Sequence, residues 1–372
     1  MSKNICLINN TLREGGIERV ILTLAQTLTD LGHRVEVIVF EKVENGFPID
    51  NYNFNIHFID KIKLPIKYIY DKKNTGLLRD KITEIGIDFD LIISNTNSTA
   101  MLCRRLNIPN TYYCIHTALP AEISNRFNSK SGPLLYKLKQ KIQRHLHSFL
   151  IKKLYQGQNL ITVSNGIKQN LIKFGIQAKT IQAIYNPFDF DNIKQQSQAY
   201  QVADKDYIVH VGRFGPEKRH DILVKAYKES GIKQKLLLLG NADSKTGKKI
   251  KQLVISLDLQ DKIIFKGFEP NPYPYIKNAK ATILSSNYEG LPTVLIESLI
   301  LGTPIVSTNC SSGPSEILID ELAPFLSPIE DINALSQNIK KMIERPIRIT
   351  DKYINKFSKE ESVKQHLSLC GK

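Results

Sequence analysis

No apolar run in these 372 residues is long enough to span a bilayer. No small-residue cleavage site follows the short apolar run Ile5–Ile8, which meets polar Asn9-Asn10 instead. The amino terminus therefore reads as a buried strand and not as a signal peptide, and a cytoplasmic protein is expected. The five cysteines are odd in number, scattered, and never spaced CxxC. That excludes a zinc ribbon or a disulfide framework and leaves reduced, mostly buried thiols. No fixed-period repeat is visible. The glycines never complete G-x-G-x-x-G, which argues against a dinucleotide-dependent dehydrogenase. No DNA- or RNA-binding module is evident either. Acids are the scarcer charge, 36 against 51 Lys and Arg, so the net charge is +15 and the pI about 9.4. An anionic partner follows: nucleic acid, an anionic membrane face or a phosphorylated substrate.

What is present reads as a soluble globular α/β chain, 42% hydrophobic and 23% charged, too long for one ordinary core. Ile5–Ile8 is a strand. A loop over Asn9–Gly16 follows, then from Ile17 a helical stripe through Val20, Ile21, Leu24, Leu28 and Leu31 closed by Gly32, then a strand at Val35–Phe40. This is a βαβ unit, which implies a parallel sheet. Further strands are expected at Leu91–Ser94, Tyr112–Ile115 and Leu160–Ser164, the last of that half. Ser94-Asn95 and His116-Thr117 gather at strand ends, where ligands bind in doubly wound sheets. Tyr185-Asn-Pro187 marks a linker entry, and the polar stretch Lys194–Lys205 separates two folding units. Strands are then expected at Tyr207–Val211, Lys235–Leu239, Ile263–Phe265, Ala281–Leu284 and Pro304–Ser307. Two similar halves predict two facing Rossmann-like domains with a central cleft, 1–186 and 187–350.

Glu289 and Glu297 stand eight positions apart around Gly290, Pro292 and an expected helix start. A helix start seats phosphate through its unpaired amides and partial positive charge. A carboxylate on that helix would repel phosphate, so Glu297 should face hydroxyls. Phosphate and hydroxyls together describe a sugar nucleotide. Upstream, Gly212-Arg213-Phe-Gly215 and Lys218 follow a strand, and two cations beside a glycine loop suit a diphosphate. Alone the segment reads equally as a solvated basic turn; the paired glutamates favour the site. Gly15-Gly16 serves a close ligand approach or only a tight turn. His116 suits a structural role or a ligand contact, and no metal-ligand spacing surrounds it. Asp88-Phe-Asp90 and Asp189-Phe-Asp191 are incidental. Gly267-Phe268 either places backbone beside a nucleobase or makes a turn with a buried Phe. Glu316, after Ser312-Gly313, either binds a hydroxyl or favours its helix start. Across Pro133–Leu154, Leu135, Leu138, Ile142, Leu146, Phe149 and Ile151 or Leu154 form a helical stripe among Lys and Arg with no acid. Such a helix packs into the core or lies on an anionic membrane face.

These residues resemble the retaining glycosyltransferases of the GT-B fold, in the large family called GT4. The resemblance covers nearly the whole chain and is strongest over Tyr207–Leu318. It rests on Gly15-Gly16-Ile-Glu-Arg19, Asn186-Pro187, Gly212-Arg213 with Lys218, Glu289-Gly-Leu-Pro with Glu297, Gly302-Thr-Pro304 and Gly313-Pro-Ser-Glu316. It implies that Glu289 holds donor-sugar hydroxyls and that Gly290, Leu291 and Thr293 meet sugar and diphosphate. It implies that Glu297 binds ribose hydroxyls and that Arg213 and Lys218 neutralise the leaving diphosphate. Gly16 would lie near the phosphates and His116 would face the sugar, although Thr117 replaces the usual Asp or Asn. It implies that 351–372 packs back on the first domain and that no metal or other cofactor is required. The function implied is transfer of a hexose or N-acetylhexosamine from a UDP-sugar to a glycan or polyprenyl-diphosphate-linked acceptor. That places the chain in capsule, O-antigen or lipopolysaccharide synthesis, peripheral at the inner membrane face. The alternatives are a sugar-nucleotide epimerase of the same fold and a basic nucleic-acid-binding protein. The loops over 41–64 and 118–133, which would choose the acceptor, carry no readable code.

Overall fold

The structure, a computed structural model, describes residues 1–13, 15–43, 52–60, 62, 67–127 and 133–371. Parts of the loops over 41–64 and 118–133 lie outside the described residues. The chain divides into two compact units, Met1–Phe188 with Phe357–Lys372, and Asp189–Lys356.

The first unit runs β1 (Asn4–Thr11), α1 (Gly16–Asp30), β2 (Arg34–Glu41), β3 (Asn55–Phe58), α2 (Lys67–Ile85), β4 (Leu91–Ser94), α3 (Asn97–Leu106), β5 (Thr111–Ile115), α4 (Leu119–Arg126), α5 (Leu134–Tyr155), β6 (Asn159–Thr162), α6 (Asn165–Lys173) and β7 (Thr180–Ala183). All pairs are parallel and the order is β3-β2-β1-β4-β5-β6-β7. Ile5, Leu7, Ile8, Val37, Ile38 and Leu91 are fully buried, as expected of strands covered on both faces. Val20, Ile21, Leu24 and Leu28 bury one stripe of α1, but Leu31, expected to continue it, lies past the helix end at Asp30 and is exposed. Two expectations need correction. The sheet does not end at Leu160–Ser164: β7 pairs outside β6, and Ser164 instead caps α6, its Oγ accepting from the Ile167 amide at 3.2 Å. β3 was not foreseen; its half-buried residues lack a full apolar run.

The second unit runs α7 (Phe190–Gln196), β8 (Tyr207–Val211), α8 (His220–Ser230), β9 (Lys235–Leu239), α9 (Lys245–Ser256), β10 (Ile263–Gly267), α10 (Tyr273–Asn278), β11 (Thr282–Leu284), α11 (Thr293–Ile300), β12 (Ile305–Thr308), α12 (Pro314–Ile317), β13 (Leu326–Ser327) and α13 (Ile332–Glu344). Its parallel sheet has the order β10-β9-β8-β11-β12-β13. The polar stretch Lys194–Lys205 is not wholly a separator: its first residues belong to α7, which packs on α10 and α11. The Asp189 carboxylate caps that helix by accepting from the Asn192 amide at 3.0 Å. Asp90 accepts from the Asn4 amide at 2.9 Å and from Lys3 at 3.1 Å. Both aspartate pairs thus include a structural member.

The last helix, α14 (Lys359–Leu367), returns to the first unit and packs on α1. Phe357 anchors it, its ring 5.0 Å from Tyr185 and 6.4 Å from Phe188. In each sheet the strand order reverses once, between β1 and β4 and between β8 and β11. Ligands of doubly wound sheets bind beyond the carboxyl ends at such a reversal.

Candidate functional site

In the second unit, Gly212 leaves β8 with its amide donating to the Leu239 carbonyl at 3.0 Å. Gly240 (φ +145°) lies against that residue; any side chain there would collide with the Gly212 carbonyl. The Gly240 amide in turn donates to the Gly267 carbonyl at 2.6 Å, so the ends of β8, β9 and β10 are tied together. Beyond Gly212 the chain makes a 3-10 turn at Pro216–Lys218 and enters α8. The strand-end segment after β11 stitches this turn in place. Ser285 Oγ donates to the Lys218 carbonyl at 2.7 Å, and the Asn287 amide donates to the Glu217 carbonyl at 2.8 Å.

That stitching delivers Lys218 to Glu289. Lys218 Nζ lies 2.7 Å from Glu289 Oε1, with the two side chains only 17% and 11% exposed. Ser286 Oγ donates to the same oxygen at 2.6 Å, and Ser312 Oγ donates to the Glu289 carbonyl at 2.6 Å. Gly313 adopts φ +91°, and a Cβ there would stand 2.9 Å from the Gly290 carbonyl. The Ser312-Gly313 turn therefore closes directly on Gly290, Leu291 and Pro292. All three are buried, and Thr293, half-buried, begins α11. No side chain caps this helix and no acid lies in its first turn, so its positive end stays uncompensated by carboxylate. Glu297, one turn further, is buried and accepts from the Tyr273 hydroxyl at 3.1 Å.

Arg213 stands apart from this cluster. It is 83% exposed, and its Nε donates to Glu217 at 2.9 Å. Phe268 is 56% exposed beside Gly267, which corrects the reading of a turn with a buried Phe. The turn's far side is fixed by Arg219 (φ +48°), whose guanidinium donates twice to Asp221 at 2.9 Å and also pairs with Glu330. Beneath it, the rings of His210 and His220 meet edge-on at 4.5 Å, and His220 stacks on Phe214 at 4.1 Å. Burial pushes them down to about 4 and about 2 respectively, with the Lys218 ammonium adding to both, so both are neutral. Glu316 lies on α12, and its carbonyl accepts from Lys356 at 2.6 Å.

In the first unit, Gly15 precedes α1 and exposed Gly16 is its first residue. Glu18 lies in the first turn, and burial raises its carboxyl above the usual range. His116 follows β5, half-buried. Its Nε2 is 3.1 Å from Asn95 Oδ1. The Asn95 amide nitrogen lies 3.4 Å from the Ile8 and Ile93 carbonyls. A nitrogen facing two carbonyls leaves the oxygen toward His116, so Nε2 carries the hydrogen. Burial, and secondarily the His366 imidazole, push His116 down to about 4. It is thus neutral near pH 7, with Nδ1 an acceptor.

The structure joins Lys218, Glu289, Gly290 and Leu291 in one cluster and gathers Gly212 and Gly267 at neighbouring strand ends. It leaves Arg213 on a solvent-facing pair. Sequence reasoning missed Tyr273, Ser286, Ser312 and Ser285 as supports. Ser286 had a signal, three residues before Glu289; Tyr273 had none, since its partner lies in another element. A cation–carboxylate pair, a second buried carboxylate and several hydroxyls thus stand beyond the carboxyl ends of a parallel sheet, and carboxylates and hydroxyls of this kind suit a ligand rich in hydroxyl groups.

Comparison with known proteins gives the same direction. Residues 14–192 match a family described as Glycosyltransferase Family 4, and residues 190–361 one described as Glycosyl transferases group 1. The chain is 29% identical over 349 residues to N-acetylgalactosamine-N,N'-diacetylbacillosaminyl-diphospho-undecaprenol 4-alpha-N-acetylgalactosaminyltransferase of Campylobacter jejuni, covering 90% of this chain and 88% of that one. It is 29% identical over 196 residues to lipopolysaccharide 1,6-galactosyltransferase of Escherichia coli, covering 51% and 53%. Among solved structures, Anabaena Alr3699/HepE in complex with UDP and glucose superposes with TM-score 0.76 at 17% identity over 98% of both chains.

Proposed function

Because this chain belongs to the group 1 glycosyltransferases and has their GT-B fold, we propose that it moves a hexose or N-acetylhexosamine from a UDP-sugar to a lipid-linked glycan in surface-polysaccharide synthesis. The observation that carries this reading is the Lys218–Glu289 pair at 2.7 Å, at the reversal of the second sheet. Relatives named for galactosyl and N-acetylgalactosaminyl transfer, one of them to an undecaprenol-linked glycan, support the donor and acceptor classes. HepE bound to UDP supports the nucleotide. A sugar-nucleotide epimerase or a nucleic-acid-binding protein is not favoured beside these transferase relatives.

In this reading Glu289 and the amides around Gly290, Leu291 and Thr293 hold the donor sugar and diphosphate, while Glu297 holds the ribose. Lys218 and Arg213 meet the diphosphate, and the Gly267-Phe268 turn flanks the base. His116 Nδ1 accepts from a sugar hydroxyl. The bond from anomeric carbon to phosphate oxygen breaks, and its electron pair leaves on UDP. The acceptor oxygen forms the new bond on the same face, and its proton passes to the departing phosphate. Lys218 stabilises the charge that develops there. No carboxylate nucleophile of the kind retaining hydrolases use is invoked.

The test is transfer from a panel of UDP-sugars to a polyprenyl-diphosphate-linked glycan, with the product's anomeric configuration read by NMR. Retention is expected, and EDTA is expected to leave the rate unchanged. An inverted product excludes the same-face step; transfer only from other nucleotides excludes UDP.

A further inference from the structure

Helix α5 is built the wrong way round for a helix of the core. Leu135, Leu138, Ile142, Leu146, Phe149 and Leu150 are between 48% and 80% exposed. Their spacing of three and four places them in one stripe along the helix. The opposite side carries buried Ile151 and Tyr155, and the helix packs there against α3 and α4. The apolar stripe thus points outward, which settles against core packing as its purpose.

The charge around it has one sign. Lys137, Lys139, Lys141, Arg144, Lys152 and Lys153 flank the stripe, and α5 contains no acid. From Ile123 to Phe188 the sequence has eleven Lys or Arg and no Asp or Glu, against a net charge of +15 for the whole chain. That stretch is thus positive without any compensating acid, and six of its eleven cations lie on the exposed apolar helix itself.

We propose that α5 docks the protein on an anionic lipid bilayer, its stripe entering the headgroup boundary and its cations facing lipid phosphates. A second copy of the chain is a poorer occupant, because pairing two such stripes would bring like charges together. A nucleic acid would use the cations and leave large aliphatic residues in water. Only an anionic apolar interface satisfies both halves of the pattern. The topology adds an orientation. The chain leaves β5 at its carboxyl end, beside His116, and must reach the amino end of β6. Along the helix's length of about 33 Å, its first turns therefore lie toward the ligand end of the sheet. Docking would lay the helix along the membrane surface and leave the ligand end of the first sheet at one edge of that contact. The docking itself does not depend on which donor or acceptor is used.

The test is co-sedimentation of the full chain with phosphatidylcholine vesicles, with and without phosphatidylglycerol. Binding to the phosphatidylglycerol vesicles, weakened by salt, is expected. Leu138→Glu/Ile142→Glu/Phe149→Glu should reduce it by at least about tenfold, and each Lys→Gln at Lys137, Lys139 or Lys141 by about fivefold. The same variants should keep the wild-type melting temperature and UDP affinity. Absence of binding to anionic vesicles overturns the proposal. So does binding the variants leave unchanged, or a dimer in light scattering that the triple Glu variant dissolves. Vesicle binding without UDP binding would keep this inference and sink the sugar-transfer reading.

Discussion

At Glu289 a single carboxylate oxygen accepts from Lys218 at 2.7 Å and from Ser286 at 2.6 Å. Nothing comparable ties Arg213 to the cluster: it is 83% exposed and paired with Glu217. The two cations implied as one diphosphate clamp are therefore unequal in preorganisation. Lys218→Ala should lower kcat by about 100- to 1000-fold, the usual cost of losing one positioned charge-stabilising donor. Arg213→Ala should cost far less, because its side chain must first be ordered. Steady-state kinetics of the two variants measures the difference, and equal losses would contradict it. Glu297 poses a different question, since its oxygen already accepts from Tyr273. Glu297→Ala should weaken UDP binding by about 1–3 kcal/mol, the range for a lost buried hydrogen-bond set. Tyr273→Phe should weaken it less, by loosening the carboxylate without removing it. Calorimetric titration with UDP decides this, and unchanged affinity in Glu297→Ala removes that residue from the site.

Elements differ in how plainly the sequence announces them. β1, β8 and β9 were legible because a strand covered on both faces must be apolar throughout, as Ile5–Ile8 and Leu236–Leu239 are. β3 and β7 were not, because edge strands keep half-buried residues with no apolar run. α7 hid inside a polar stretch, since Ile193 is its one buried residue. The strand-end positions of Gly212, His116 and Glu289 followed from those apolar runs, so the site's address could be read. Its internal bonding could not, because Ser285, Ser312 and Tyr273 act through partners 23 to 67 residues away. The turn at Gly313 shows what such long-range closure demands. With φ +91° and the Gly290 carbonyl 2.9 Å from any Cβ, this position admits no larger side chain without movement. Gly313→Ala should destabilise the second unit by about 1–3 kcal/mol. It should also weaken UDP binding, because the displaced backbone belongs to Gly290–Pro292. Thermal melts read the first effect and UDP titration the second; loss of stability with intact UDP affinity would separate this turn from the ligand.

For the molecule as a whole, both units hold neutral histidines near their ligand ends. His116 is pushed down to about 4 and so is His366 in the first unit; in the second, His210 lies at about 4 and His220 at about 2. Burial is the leading cause in each case. A depressed histidine binds its proton less readily when folded than when unfolded, so folding is favoured fully only above the unfolded value of 6.5. As pH falls from 6.5 toward 4, the unfolded chain takes up protons that the folded chain refuses, and stability is lost through that window. For His210, fully buried, the loss at pH 5 is on the order of 2 kcal/mol. The edge-on contact with His220 means that the pair protonates as one coupled system. The urea midpoint should therefore fall between pH 7 and pH 5 with little change in slope. Replacing His220 with Phe, which can keep the stack on Phe214, should flatten that dependence. A midpoint that stays level across the window, or a slope in the variant as steep as in the parent, would mean that these rings take up protons while the protein remains folded.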